Sequence, residues 1–219
     1  MALKSGFRGY SVVCCGTLRP EMRMLQQSGF LDADRILFTA PGLHERPPEL
    51  AAQLTRQLGK ARETSGEVIV LYGSKCYLDP GGPAADVDAL IGDPQGRTHR
   101  VQAKNCVDML ADIGQRDEIA AGQRVYWLTP GWVVHWKRIF RDWDAGKANE
   151  AFPQHDRAVV LDGIGFFEDY LNDNPDELLG FSDWMKVPIE AVPVSLDRFK
   201  GHLTAARAAG TDVIPGENQ

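Results

Sequence analysis

Two stretches decide the fold: Tyr10-Ser11-Val12-Val13-Cys14-Cys15-Gly16 and Glu67-Val68-Ile69-Val70-Leu71-Tyr72-Gly73. Each is an apolar run of strand length closed by a glycine. Continuous rather than alternating apolarity marks strands buried on both faces, as in parallel sheets covered by helices. The intervening chain fits that reading. Pro20–Gln27 reads as a helix with Pro20 near its start and Glu21 in its first turn. Arg35–Thr39 reads as a second strand, stopped by Pro41-Gly42. Pro48–Glu63 carries Leu50, Leu54, Leu58 and Ala61 at helical spacing behind the Pro47-Pro48 start signal.

Downstream, a Gly/Pro/Asp loop (Asp79–Pro83) leads to a short helix at Ala84–Ile91. A strand follows at His99–Ala103, then a helix at Val107–Ile113 that Asn105 can cap. Arg124–Leu128 is a strand, Trp132–Trp143 an amphipathic helix, Arg157–Leu161 a strand, and a helix begins at Phe166–Asn172. Val187–Val194 reads as an edge strand, because Pro188 and Pro193 cannot donate to a ladder. Leu196–Ala209 closes the fold as a helix. Strands alternating with helices predict an α/β architecture with a doubly wound, mostly parallel sheet, Rossmann-like and three-layered. A single domain over 1–210 is expected, with a flexible tail over 211–219.

Composition narrows the function classes. Of 219 residues, 43% are hydrophobic and 25% charged, and 30 acidic against 24 basic side chains leave a net charge of −6. That balance is ordinary for a globular chain. With no basic excess or stripe, it argues against a nucleic-acid partner. No apolar run approaches the roughly 20 residues that span a bilayer, which argues against a membrane role. The N-terminus lacks a signal-peptide core, so the expected compartment is the cytoplasm. There the four cysteines are poor candidates for structural disulfides and better ones for metal ligands or reactive thiols.

Reactive residues fall at strand ends, where ligands bind in open α/β sheets. Strand one ends in Cys14-Cys15, strand three in Lys75-Cys76, and strand four in Asn105-Cys106; strand two is followed by His44. Three thiolates and an imidazole suit zinc. Successive strand residues point to opposite sides, so Cys15 is assigned to the site and Cys14 to the core. The plainer alternatives are small buried hydrophobes for the cysteines and a backbone-bonding loop residue for His44. After strand six, Asp162 can orient a ligand or take a proton, or it can simply cap the next helix. Lys75 and Arg46 can hold an anionic small-molecule substrate. Thr129 and Trp132, after strand five, are candidate cofactor-binding residues, Trp132 as a pocket wall or as core. Glycine-rich phosphate loops and a Gly-x-Ser-x-Gly elbow are both absent.

Five segments, in this order, resemble the motif series of a prokaryotic family catalogued as domain of unknown function 1638. They are Cys15–Glu21, Leu43–Pro47, Tyr72–Cys76, Asn105–Leu110 and Leu128–Trp132. The resemblance covers about Tyr10 to Val194. It implies one α/β domain with Cys15, His44, Cys76 and Cys106 at its centre. It also implies proximity to corrinoid-dependent methyltransferases, because members are described near such genes. Where relatives read Asp-Thr-Gly, this chain reads Asp162-Gly163-Ile164, so no hydroxyl role carries over. The first reading is a zinc-dependent enzyme that activates a thiol for methyl transfer, with Asp162 and Lys75 as catalytic candidates. An iron–sulfur redox protein using the same cysteines is the second. The third is a metal- or corrinoid-binding accessory protein that partners a methyltransferase.

Overall fold

The computed structural model describes residues 6–77, 86–93 and 95–211. The expected loop Asp79–Pro83 and the tail beyond residue 211 lie outside them. The first strand, β1 (Tyr10–Cys14), leads through a tight 3-10 turn at Gly16–Leu18 into α1 (Arg19–Gln27). There follow β2 (Arg35–Phe38), α2 (Pro47–Thr64), β3 (Glu67–Leu71), α3 (Val87–Ile91) and β4 (Thr98–Arg100). These four strands form one sheet in the order β2-β1-β3-β4, every pair parallel. β1 sends the chain to β2 on one side, and β3 then lies on its other side. The carboxyl ends of β1 and β3 therefore flank a topological switch point, where such sheets bind ligands.

The chain continues through α4 (Cys106–Leu110) and α5 (Ile113–Ala120) to β5 (Val125–Leu128), α6 (Pro130–Ile139) and α7 (Ala145–Ala151). Next come β6 (Arg157–Asp162), α8 (Phe166–Asp173), α9 (Pro175–Met185), β7 (Ile189–Pro193) and α10 (Asp197–Thr211). Here β5-β6-β7 form a second, separate parallel sheet. The α/β class and the parallel pairing match the reading of the sequence; the single sheet does not, because β4 pairs only with β3. As the two prolines suggested, β7 is an edge strand.

Strand periodicity explains how two sheets make one core. Val12 and Cys14 of β1, Ile69 and Leu71 of β3, and Val159 and Leu161 of β6 point into a common apolar layer. Phe199, Leu203 and Ala206 of α10 fill it from the chain's far end. The alternate residues face outward. Val13, Val68 and Val70 meet Leu50, Leu54 and Leu58 of α2. Ala158 and Val160 meet an aromatic layer built on Trp132, Phe140, Phe152 and Phe181. Within that layer, Trp136 stacks on Phe181 at 5.0 Å.

Several details of the second half differ from expectation, among them α7 and α9, which the sequence reading did not place. The helix read at Val107–Ile113 is two helices, because Asp112 begins a new one. It accepts from the Gln115 backbone N–H while the Gln115 side chain accepts from the Asp112 N–H. The tryptophan helix starts earlier, at Pro130, and stops at Ile139. Among the described residues, no helix is long and apolar enough to cross a membrane.

Candidate functional site

Each candidate side chain is set by a short local device. Cys15 follows β1 and opens the 3-10 turn, where the Thr17 hydroxyl donates to its sulfur at 3.1 Å. Cys14 turns the other way, into the common core, and is fully buried. His44 sits in a second 3-10 turn, Leu43–Glu45, between β2 and α2. Cys76 and Cys106 approach each other because their loops pair. Ser74 N–H donates to the Ala103 carbonyl and Lys75 N–H to the Lys104 carbonyl, both at 2.9 Å. That crossing requires Gly73, since a Cβ there would collide with the Lys104 backbone. Cys106 then opens α4, where the Asn105 side chain accepts from the Asp108 N–H.

These loops surround two adjoining cavities. The larger, of 430 Å3, is lined by His44, Lys75, Cys76 and Cys106 and walled by Tyr126, Trp127 and Trp132, with Arg116 at its side. A 20 Å3 pocket lies against it and includes Cys15, Thr17 and Tyr72. His44, Cys76, Cys106 and Trp132 line both. The four residues selected as ligands therefore reach one contiguous space from four separate loops. The Trp132 ring lies 5.3 Å from the His44 ring. α6 places it there by pressing its N-terminus on the 3-10 turn after Cys15. Gly131 admits that contact, because a Cβ would strike the Thr17 carbonyl.

Burial governs the electrostatics. It pushes the Cys76 thiol up to about 12, with the nearby Cys15 adding to the effect. Burial also raises Cys106, reinforced by Cys76 and Cys15 and opposed by a hydrogen bond with the Trp132 side chain. The His44 imidazole is 37% exposed and lies 3.6 Å from a Glu45 oxygen; partial desolvation at the cavity shifts it down, against the pull of that carboxylate. Cys76 and Cys106 are thus protonated at neutral pH. Lys75 is exposed at the cavity and makes no ion pair among the described residues. Arg116 is anchored by the Ala111 carbonyl at 2.7 Å and faces Asp108 at 3.7 Å. Among the described residues, no three His, Cys, Asp or Glu side chains already stand as a set able to hold a metal ion.

Other candidates lie elsewhere. The Asp162 carboxylate accepts from the backbone N–H groups of Ile164, Phe166 and Phe167 at 2.9–3.1 Å, so it caps α8. Thr129 is fully buried and donates to the Thr17 carbonyl at 3.1 Å, tying α6 to the first sheet's turn. Arg46 is held by Glu49 and Asp142 at 3.2 Å each. Sequence reasoning read Glu21 only as a first-turn acid. It is fully buried, neither carboxylate oxygen has a partner, and its pKa is pushed up to about 8 by burial, with Asp162 adding to it.

The family described as "Protein of unknown function (DUF1638)" matches residues 38–203. The chain belongs to this family. The DUF1638 match takes in His44, Cys76, Cys106 and Trp132 and begins after Cys15. No curated protein and no solved structure matches the chain.

Proposed function

We propose that this DUF1638 chain is a metal-dependent enzyme whose zinc centre forms on Cys15, Cys76 and Cys106, with His44 facing the same space. The observation that carries the reading is the meeting of these four side chains, from four loops, on two adjoining cavities at the switch point. The donor set suits zinc in kind. Since the side chains do not stand as a ready coordination set, binding requires them to rotate within the cavity and release the thiol protons.

When bound, zinc lowers the pKa of a substrate thiol. The chain's own residues do the rest. Tyr126, Trp127 and Trp132 supply an apolar wall that limits water. Lys75 and Arg116 offer positive charge to an anionic group on the substrate. His44 closes the site as a fourth donor or leaves it open as a proton acceptor. In the methyl-transfer form of the proposal, the substrate thiol would pass its proton to His44 or to water, and its sulfur would gain the methyl group. A methylated corrinoid on a partner protein would supply the methyl, both electrons of its broken bond staying on the corrinoid.

Elemental analysis of anaerobically purified protein tests the centre. Stoichiometric zinc is expected, with affinity falling about tenfold or more in Cys76→Ser. Metal-free protein, or undiminished zinc in Cys76→Ser, would overturn the proposal. Brown protein with visible absorbance would replace zinc with an iron–sulfur centre.

A further inference from the structure

We infer that the cleft between α1, α2, the end of β2 and α6 binds a small molecule bearing two or more phosphate groups. This cleft, of 710 Å3, is separate from the thiol cavities. Cys15 lines the smaller of those, while its neighbour Gly16 lines this one. Arg19 and Arg23 of α1, Arg56 of α2, and Arg138 with His135 of α6 surround it, and no carboxylate does.

Unpaired arginines gather at this cleft; among the described residues, Arg97 is the one arginine outside it whose side chain likewise lacks an ion pair or hydrogen bond. Elsewhere Arg46 meets Asp142, Arg100 meets Asp88, Arg124 meets Asp156, and Arg157 meets Glu190. The chain has six more acidic than basic side chains (30 against 24), so carboxylates are not scarce. Yet among the described residues none of the four cleft guanidiniums has an ion pair or hydrogen bond. Solvent screens the repulsion between exposed Arg23, Arg56 and Arg138, but four like charges around one concavity still focus a positive potential that draws in an anion. Arg19 is held in place, its guanidinium 4.2 Å from the centre of the Phe38 ring. Arg19 and Arg138, from different helices, both act on the His135 imidazole, so the charges converge.

The ligand's chemistry follows from charge, shape and size. Guanidinium forks match phosphate oxygens bidentately. Four positive charges balance a diphosphate or triphosphate. The cleft has the volume of a small-ligand site. A nucleic acid would extend past it on a chain whose net charge is −6. Recognition here uses side chains, so it needs no glycine-rich phosphate loop.

Calorimetric titration of the full chain with inorganic tripolyphosphate and with ATP tests the inference. Both are expected to bind saturably. Arg56→Ala/Arg138→Ala, two exposed positions, is expected to weaken both by about tenfold per guanidinium removed. Arg97→Ala, outside the cleft, and Cys76→Ser should leave binding unchanged, which keeps this test independent of the zinc proposal. The inference fails if wild type binds neither probe, if Arg97→Ala weakens binding as much as the cleft variant, or if only a single-stranded oligonucleotide binds.

Discussion

Cys14 and Cys15 are neighbours with opposite fates, and strand parity accounts for both. One side chain enters the common core; the next faces the cavity. That much was legible from a run of five strand residues. The state of Glu21 was not, because burial of a carboxylate depends on what packs over it. Its neighbours include Asp162, Cys14 and Cys106. With the folded pKa raised from 4.5 to about 8, the native state holds a proton that the unfolded chain has released. The stabilisation is therefore full below pH 4.5 and is lost as pH rises to about 8, at about 1.4 kcal/mol per pH unit within that window. Urea denaturation as a function of pH checks this. Glu21→Gln is expected to remove the decline, and an identical slope in both proteins would refute it.

At the scale of elements, long apolar periods were readable and short polar helices were not. α2 announces itself through Leu50, Leu54 and Leu58, whereas α5 buries no residue and so carries no stripe. The contact that matters most to the site lies between elements far apart in sequence. α6 rests its Gly131 on the Thr17 backbone, and the Thr129 hydroxyl donates to the same carbonyl. Gly131→Ala should force the two apart, costing about 1–3 kcal/mol or more. Because Trp132 rides on that helix, the cavity should open as well. Denaturant midpoint and tryptophan fluorescence together report both effects; wild-type values in each would dismiss the contact as unimportant.

For the whole molecule, α10 leaves the second sheet and packs on β3, β4 and α4 of the first half. Its Phe199 lies in the layer where β1, β3 and β6 meet. A core shared in this way couples the sheets, so unfolding is expected as one cooperative transition. Phe199→Ala should lower stability by about 3–5 kcal/mol without splitting that transition. Two separated transitions in calorimetry would show that the sheets fold independently. Sequence alone determined the α/β class, the parallel strands and the strand-end placement of His44, Cys76 and Cys106, because buried strands write continuous apolar runs and loops carry the reactive side chains. Only the tertiary structure decided that there are two sheets rather than one, that Asp162 and Thr129 are spent on backbone contacts, and that four arginines ring one cleft. Those outcomes depend on which groups, tens of residues apart, come within bonding distance, and no local pattern in the chain encodes that.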